Sequence, residues 1–360
     1  MVDIAACSDN GFILAGYTNS FGTAENSGWL VRIDSIGNTL WTQTYGDQGY
    51  NYLEAVQETH DGGFVLTGLT GYSGPGDNYD LWLIRTDEYG DTLWTRRHGG
   101  ANNDSGDEII CANDSTYIIG GNTDSFGSGA SDAWLLAVNA NGDTLWTRTF
   151  GGSRIESLDD LDLTPDNGFV FTGFSSSFGN QTNAAWVVRT DSIGNEIWSS
   201  HVSGDHRDRA YAVHPMSDGT YVVVGETASF GAVLSDTWLL KFSDTGDTLW
   251  TRIIGGNWYD WASDVVETPD SNIFIVGKTS FFGFPPDAWA AQFDRNGELQ
   301  SAVIFDIDLF GTFIEVEPHP GGGYVIVGIG DPNADTGPDA TALRLVPIDN
   351  SPPTQFHLKL

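Results

Sequence analysis

The chain has 360 residues, 40% of them apolar, with 13 Trp, 20 Phe and 12 Tyr, which suffices for a large core and excludes global disorder. Its 49 acidic residues against 15 basic ones give a formal charge of −34, a surface that repels phosphate backbones and excludes nucleic-acid binding. With no run of ~18 apolar residues there is no transmembrane helix, and no membrane insertion is expected.

Met1 leads straight into the first strand without an apolar leader, as in an intracellular protein or the mature form of something longer. The first repeat, about 1–48, sets a pattern of four strands. Strand a surrounds Ile4, strand b is the run GFILAG closed by Gly16, strand c opens on Trp29, and strand d follows a D-x-x-G turn and carries Trp41. The second repeat, about 49–101, has Val56, the turn His60-Asp61-Gly62-Gly63, Gly68, Trp82 and Trp94 in the same places. Repeats three (102–153), four (154–205) and five (206–257) follow with Ile109, Leu161 and Val213 in strand a and Gly121, Gly173 and Gly225 closing strand b. Their paired tryptophans are Trp134 and Trp146, Trp186 and Trp198, and Trp238 and Trp250. Repeat six (258–309) keeps Val265, Gly277 and Trp289 but has Ser301 for its strand-d Trp. Repeat seven (310–351) keeps Val316 and Gly328 but has Thr341 for its strand-c Trp. The closing glycines stand 52, 53, 52, 52, 52 and 51 residues apart, so no domain boundary fits between them.

No stretch holds a helical period, so the chain is all-β. A four-stranded unit that cannot bury both faces alone, repeated seven times, predicts one seven-bladed β-propeller over 1–351 with four antiparallel strands per blade. The tail 352–360, PPTQFHLKL, is then either the outer strand of blade seven or a linker to a missing domain.

The blade pattern T-x-S-F-G … D-x-W-L … D-x-x-G-D-T-L-W-T-R-T-F-G-G, nearly complete at 121–152, resembles the propeller repeats of secreted bacterial surface proteins. The D-x-x-G-x-x-x-W element, Asp87 to Trp94 and Asp191 to Trp198, is similar to the tryptophan-docking motif of quinoprotein-type propellers, where it is architectural. The ending SPPTQFHLKL resembles the lead-in to the sorting domain of proteins exported by type IX-like secretion. These resemblances imply an extracellular or cell-surface location.

Cys7 and Cys111 fall in repeats one and three with repeat two between them, so no disulfide is expected. Two acidic columns border the face that carries the d–a and b–c loops. One precedes strand a: Asn51, Asp104, Glu156, Asp208 and Asp260, with Gly311 in the last repeat. The other stands two residues before the strand-c Trp: Asp80, Asp132, Asp236, Asp287 and Asp339. As oxygen ligands, Asp104, Glu156, Asp208 and Asp260 would suit Ca2+, the one cofactor the composition invites. As hydrogen-bond acceptors they would hold their own loops, and their repetition favours that role. Two d–a loops abandon the small residues of the others, one with His206, Arg207 and Arg209, the next with Trp258, Tyr259 and Trp261. Ring faces beside guanidinium groups suit a sugar or an anionic group. They equally suit packing between loops.

No H-x-H, HExxH or G-x-S-x-G element is present, so catalysis has no motif behind it. The expected function is non-catalytic recognition of a glycan, protein or surface polymer through the loop face. The rival readings are a glycan hydrolase or lyase using Asp208, Asp260 and His206, and a self-assembling subunit of a surface layer or filament.

Overall fold

The computed structural model describes the chain except residues 1, 21, 23, 47, 72–77, 180–182, 281–286, 306–310, 320, 331–338, 346–355 and 360, and leaves out the side chains of 329–330, 339–345 and 356–359. Twenty-eight strands and no helix occur among the described residues. The chain divides into two compact units, Met1–Leu163 with Ser192–Asn195, and Thr164–Asp191 with Glu196–Leu360. The first holds three complete sheets of four consecutive strands, then strand a of repeat four, Glu156–Leu163. The second holds that repeat's remaining strands, Phe169–Ser175, Ala184–Thr190 and Glu196–Val202, and three further complete sheets. The last of these sheets takes its fourth strand from Phe356–Lys359, paired antiparallel with Asp339–Leu345.

Repeat three shows why the sequence folds this way. Its strands are Asp104–Asn113, Thr116–Thr123, Asp132–Asn139 and Thr144–Phe150, joined as an antiparallel meander. The two middle strands are covered on both faces and read as near-continuous apolar runs, whereas strand d alternates and leaves one face in water. Neighbouring sheets share their cores. Leu30 and Ile13 of repeat one pack with Leu66 and Trp82 of repeat two, and Val224 and Leu239 of repeat five pack with Ile275 and Trp289 of repeat six.

The glycine that closes strand b lies opposite the strand-c tryptophan in every sheet that has one: Gly16 with Trp29, Gly68 with Trp82, Gly121 with Trp134, Gly225 with Trp238. On its other side strand a carries a β-bulge, for example between Leu53 and Ala55 and between Ala210 and Ala212. The bulge drives a carbonyl against the glycine, so that a Cβ on Gly68 would sit 2.0 Å from the Tyr52 oxygen and one on Gly225 2.0 Å from that of Arg209. Close backbone approach keeps glycine here. The strand-a residues Ile4, Val56, Ile109, Val213, Val265 and Val316 all pair with the residue two before that glycine, so they occupy equivalent positions.

The strand-d tryptophans dock onto the next repeat. Trp94 donates its indole N–H to the Ala140 carbonyl at 3.1 Å, and Trp198 donates to Asp244 at 2.9 Å. Each ring lies under the glycine of the D-x-x-G turn: Trp41 under Gly90, Trp94 under Gly142, Trp146 under Gly194, Trp198 under Gly246 and Trp250 under Gly297. The first residue of the turn caps it, as when Asp87 accepts from the backbones of Tyr89 and Asp91, both at 2.9 Å. Side chains also link the inner strands of adjacent repeats, from strand a or strand b to the next strand a. Asp264 accepts from the Val316 backbone at 2.8 Å, and Asn122 both accepts from the Leu158 backbone at 2.9 Å and donates to its carbonyl at 3.1 Å. Cys7 and Cys111 are both free thiols.

Candidate functional site

The first acidic column is buried and fully employed. Asp104 accepts from the hydroxyls of Thr123 and Ser125 and from the Gly100 backbone. Asp208 repeats this with Thr227, Ser229 and Gly204, and Asp260 with Thr279 and the backbones of Ser280 and Gly256. Glu156 accepts from the Gly152 backbone at 2.6 Å. In repeat one's successor the same place is Asn51, whose oxygen accepts from Thr70 while its amide donates to the carbonyls of Asn26 and Gln48. Asp104, Asp208 and Asp260 therefore tie the loop after strand d to the end of strand b in their own repeats, and Glu156 holds the same loop. The proposed ligands Asp104, Glu156, Asp208 and Asp260 stand in four separate repeats, and no group of three or more His, Cys, Asp or Glu suited to a metal occurs among the described residues.

The second column adjoins the first across the loop glycine. A Cβ on Gly99 would meet both Asp80 and Asp104, and one on Gly151 both Asp132 and Glu156. Burial, then the Asp104 charge, raises the pKa of Asp80, and burial, then Asp260, raises that of Asp236.

In the second unit the irregular loops divide into an outer and an inner set. His206 is exposed, its backbone donating to the Ser229 hydroxyl at 3.0 Å. Trp258 and Tyr259 are 46% and 48% exposed, and Tyr259 is bridged to Ser235. Arg207, Arg209 and Trp261 turn to strands a and b. Arg207 forms an ion pair with Glu226, which is itself buried. The Arg209 guanidinium lies 4.9 Å from the Phe174 ring centre and 5.1 Å from that of Tyr211. Burial, then the Glu226 charge, pushes the Tyr211 phenol above its ordinary range. Trp261 opens strand a of repeat six and pairs with Lys278, whose ammonium lies 5.2 Å from an indole ring centre. Phe174, Glu226 and Lys278 share one signal in the sequence. Each directly follows the glycine closing strand b, a position that changes from repeat to repeat within an otherwise uniform run.

The first unit carries an aromatic group at matching positions. Tyr17 meets Tyr52 edge-on at 4.6 Å between ring centres, and Tyr50 stacks on Tyr52 at 6.4 Å.

No protein-family profile matches the chain. The regulatory protein FlaEY of Caulobacter vibrioides is 24% identical over 212 residues, 52% of this chain and 21% of that protein. The chain thus spans about a fifth of the length of this curated relative. Among solved structures, the Pan2 WD40 domain of Neurospora crassa is similar with a TM-score of 0.59 and 10% identity, over 90% of this chain and 85% of that one. Sqt1 of Chaetomium thermophilum gives 0.53 and 12%, over 95% and 80% of the two chains. A puromycin hydrolase gives 0.53 and 14%, over 96% and 54%. A WD40 domain is a ring of four-stranded blades. The fold is a β-propeller.

In propeller terms, the bulged residue of each strand a is one equivalent position: Glu54 in blade two, Asp107 in blade three, Tyr211 in blade five, Ser263 in blade six. In the first unit two of these are carboxylates with strongly altered acidity. Burial, then the Asp107 charge, raises Glu54 to about 7. Burial also raises Asp107 to about 7, with the Asp159 charge adding to it and hydrogen bonds from Ser105 and Asn122 opposing it. Folded-state values above the unfolded ones mean stability that is complete below about pH 4 and lost as pH rises through about 7. The expected result is a melting temperature that falls from about pH 5 to about pH 8, with the fall reduced in the Glu54→Gln/Asp107→Asn double variant. Parallel curves for the two proteins in thermal melts would show that these groups do not titrate in this range.

Proposed function

We propose that the chain is a seven-bladed propeller acting as a non-catalytic recognition module on the cell exterior. It takes a glycan, protein or surface polymer at the loop face of blades five and six. The carrying observation is the adjacent aromatic pair Trp258 and Tyr259, about half exposed on one loop, where the matching positions of repeats two to five hold at most one large apolar residue, such as Tyr50 or Ile155. Exposed aromatic area is unfavourable in water and marks a partner. Arg207 on the preceding d–a loop, paired with Glu226, and Arg209 held between two rings add guanidinium donors that suit carboxylates and hydroxyls. In this reading Asp104, Glu156, Asp208 and Asp260 hold the loops, and Asp208 and Asp260, each accepting several hydrogen bonds, are not the acid–base pair of a hydrolase.

The test is a glycan array and a panel of surface proteins, with Trp258→Ala and Tyr259→Ala as variants. Each change is expected to weaken binding by roughly 1–3 kcal/mol, judged from stacking on aromatic side chains, and to leave the melting temperature unchanged. Melting several degrees lower with unchanged binding would make these residues packing elements and end this reading.

A further inference from the structure

We infer that Lys278 and Trp261, with Arg209 on the neighbouring blade, recognise the carboxylate-bearing sugars of an acidic glycan. This deepens the loop-face reading above and rests on it.

Lys278 is one of only three lysines in a chain with 49 acidic residues. Among the described side chains, the cations inside strand c each have a carboxylate: Arg32 pairs with Asp9, Arg85 with Asp61, Arg189 with Asp166, and Lys241 with Asp218 at 3.0 Å. Lys278 has none. Among the described residues its ammonium makes no hydrogen bond or ion pair, only the contact over Trp261. Burial lowers its pKa, with no opposite charge to restore it. A cation taken partly out of water without a counter-charge is unfavourable. Where carboxylates outnumber basic groups so heavily, that deficit points to a counter-charge arriving from outside.

The aromatic surroundings narrow the ligand. Trp261 and Lys278 face each other across strands a and b of blade six, as Arg209 and Glu226 do on blade five. Strand a of blade six packs directly against strands a and b of blade five. Glu226 is already committed to Arg207. Indole faces stack on the CH faces of a pyranose, and the ammonium meets a carboxylate at its edge. A uronic acid carries both groups on one ring. An acidic peptide would satisfy the ammonium and leave the rings unused.

The experiment is calorimetric titration of the full chain with tetragalacturonate, its methyl ester, and tetraglutamate, repeated with Lys278→Met and Trp258→Ala. Wild type is expected to bind the acid at least about 10-fold more tightly than the ester, the scale of one charge-assisted hydrogen bond. Lys278→Met should erase that difference by weakening the acid alone, with an unchanged or higher melting temperature because a desolvated charge is removed. Equal binding of acid and ester, an unaffected Lys278→Met, or tetraglutamate binding as tightly as the sugar would each overturn the inference. If the ester binds, and Trp258→Ala abolishes that binding while Lys278→Met does nothing, the loop-face reading stands and the acidic specificity falls. If no sugar binds, the inference falls, and the loop-face reading then rests on the protein panel.

Discussion

Asp208→Ala is expected to destabilise the chain by about 3–5 kcal/mol, since donors left unsatisfied in a buried site lose about 1–3 kcal/mol each and do not add fully. Asp208 is fully buried and accepts from the Thr227 and Ser229 hydroxyls and the Gly204 backbone. Removing it strands all three donors. Asp208→Asn keeps the shape but turns an amide N–H2 toward donors, so about 2–3 kcal/mol is expected. Blade two tolerates Asn51 at this position because the carbonyls of Asn26 and Gln48 receive its amide. Denaturant unfolding of both variants measures the difference. A loss under about 1 kcal/mol for Asp208→Ala would mean that water replaces the carboxylate and the loop does not depend on it.

Trp94→Ala is expected to lose about 2–4 kcal/mol, below a fully buried tryptophan because the ring is partly exposed. Its indole N–H bonds Ala140, its ring underlies Gly142, and Arg96 lies 5.5 Å from its centre. Gly142→Ala should lose about 1–2 kcal/mol for the left-handed backbone alone. That backbone has φ +79°, and the added Cβ would lie 2.9 Å from the Trp94 ring. The double variant should lose less than the sum, because removing the ring removes the clash. Strict additivity in the cycle would show that ring and glycine do not touch in solution.

The repeat and both tryptophan columns were legible because packing between like sheets demands the same residue at the same step. The closing glycines were legible as markers but not as a cause. Their cause is a bulge in the neighbouring strand, which no residue type announces. The bulge also hid the inner residues. Strict alternation back from Val56 puts Glu54 on the buried core side, but the extra residue between Leu53 and Ala55 breaks that count. Asp107 was hidden in the same way. Trp258 and Tyr259 could be read from the sequence because they place two aromatics side by side in a polar loop. Lys278 and Glu226 could not, because they sit inside an apolar strand at a position whose outlook only the fold defines.

The carboxylate that ties each loop closes it over a fixed interval. Gly100 bonds Asp104, Gly152 bonds Glu156, Gly204 bonds Asp208 and Gly256 bonds Asp260. The three positions enclosed read Ala-Asn-Asn, Ser-Arg-Ile, Asp-His-Arg and Asn-Trp-Tyr. The glycine-to-carboxylate bond uses none of their side chains, so exchanging the three between blades keeps that clasp while losing local contacts such as Asn102 to the Asp124 carbonyl and Arg207 to Glu226. New surface chemistry can therefore arise by drift inside three residues while the scaffold stays under separate constraint. Grafting Asn-Trp-Tyr into 101–103 would carry the aromatic pair to a second blade of the same molecule.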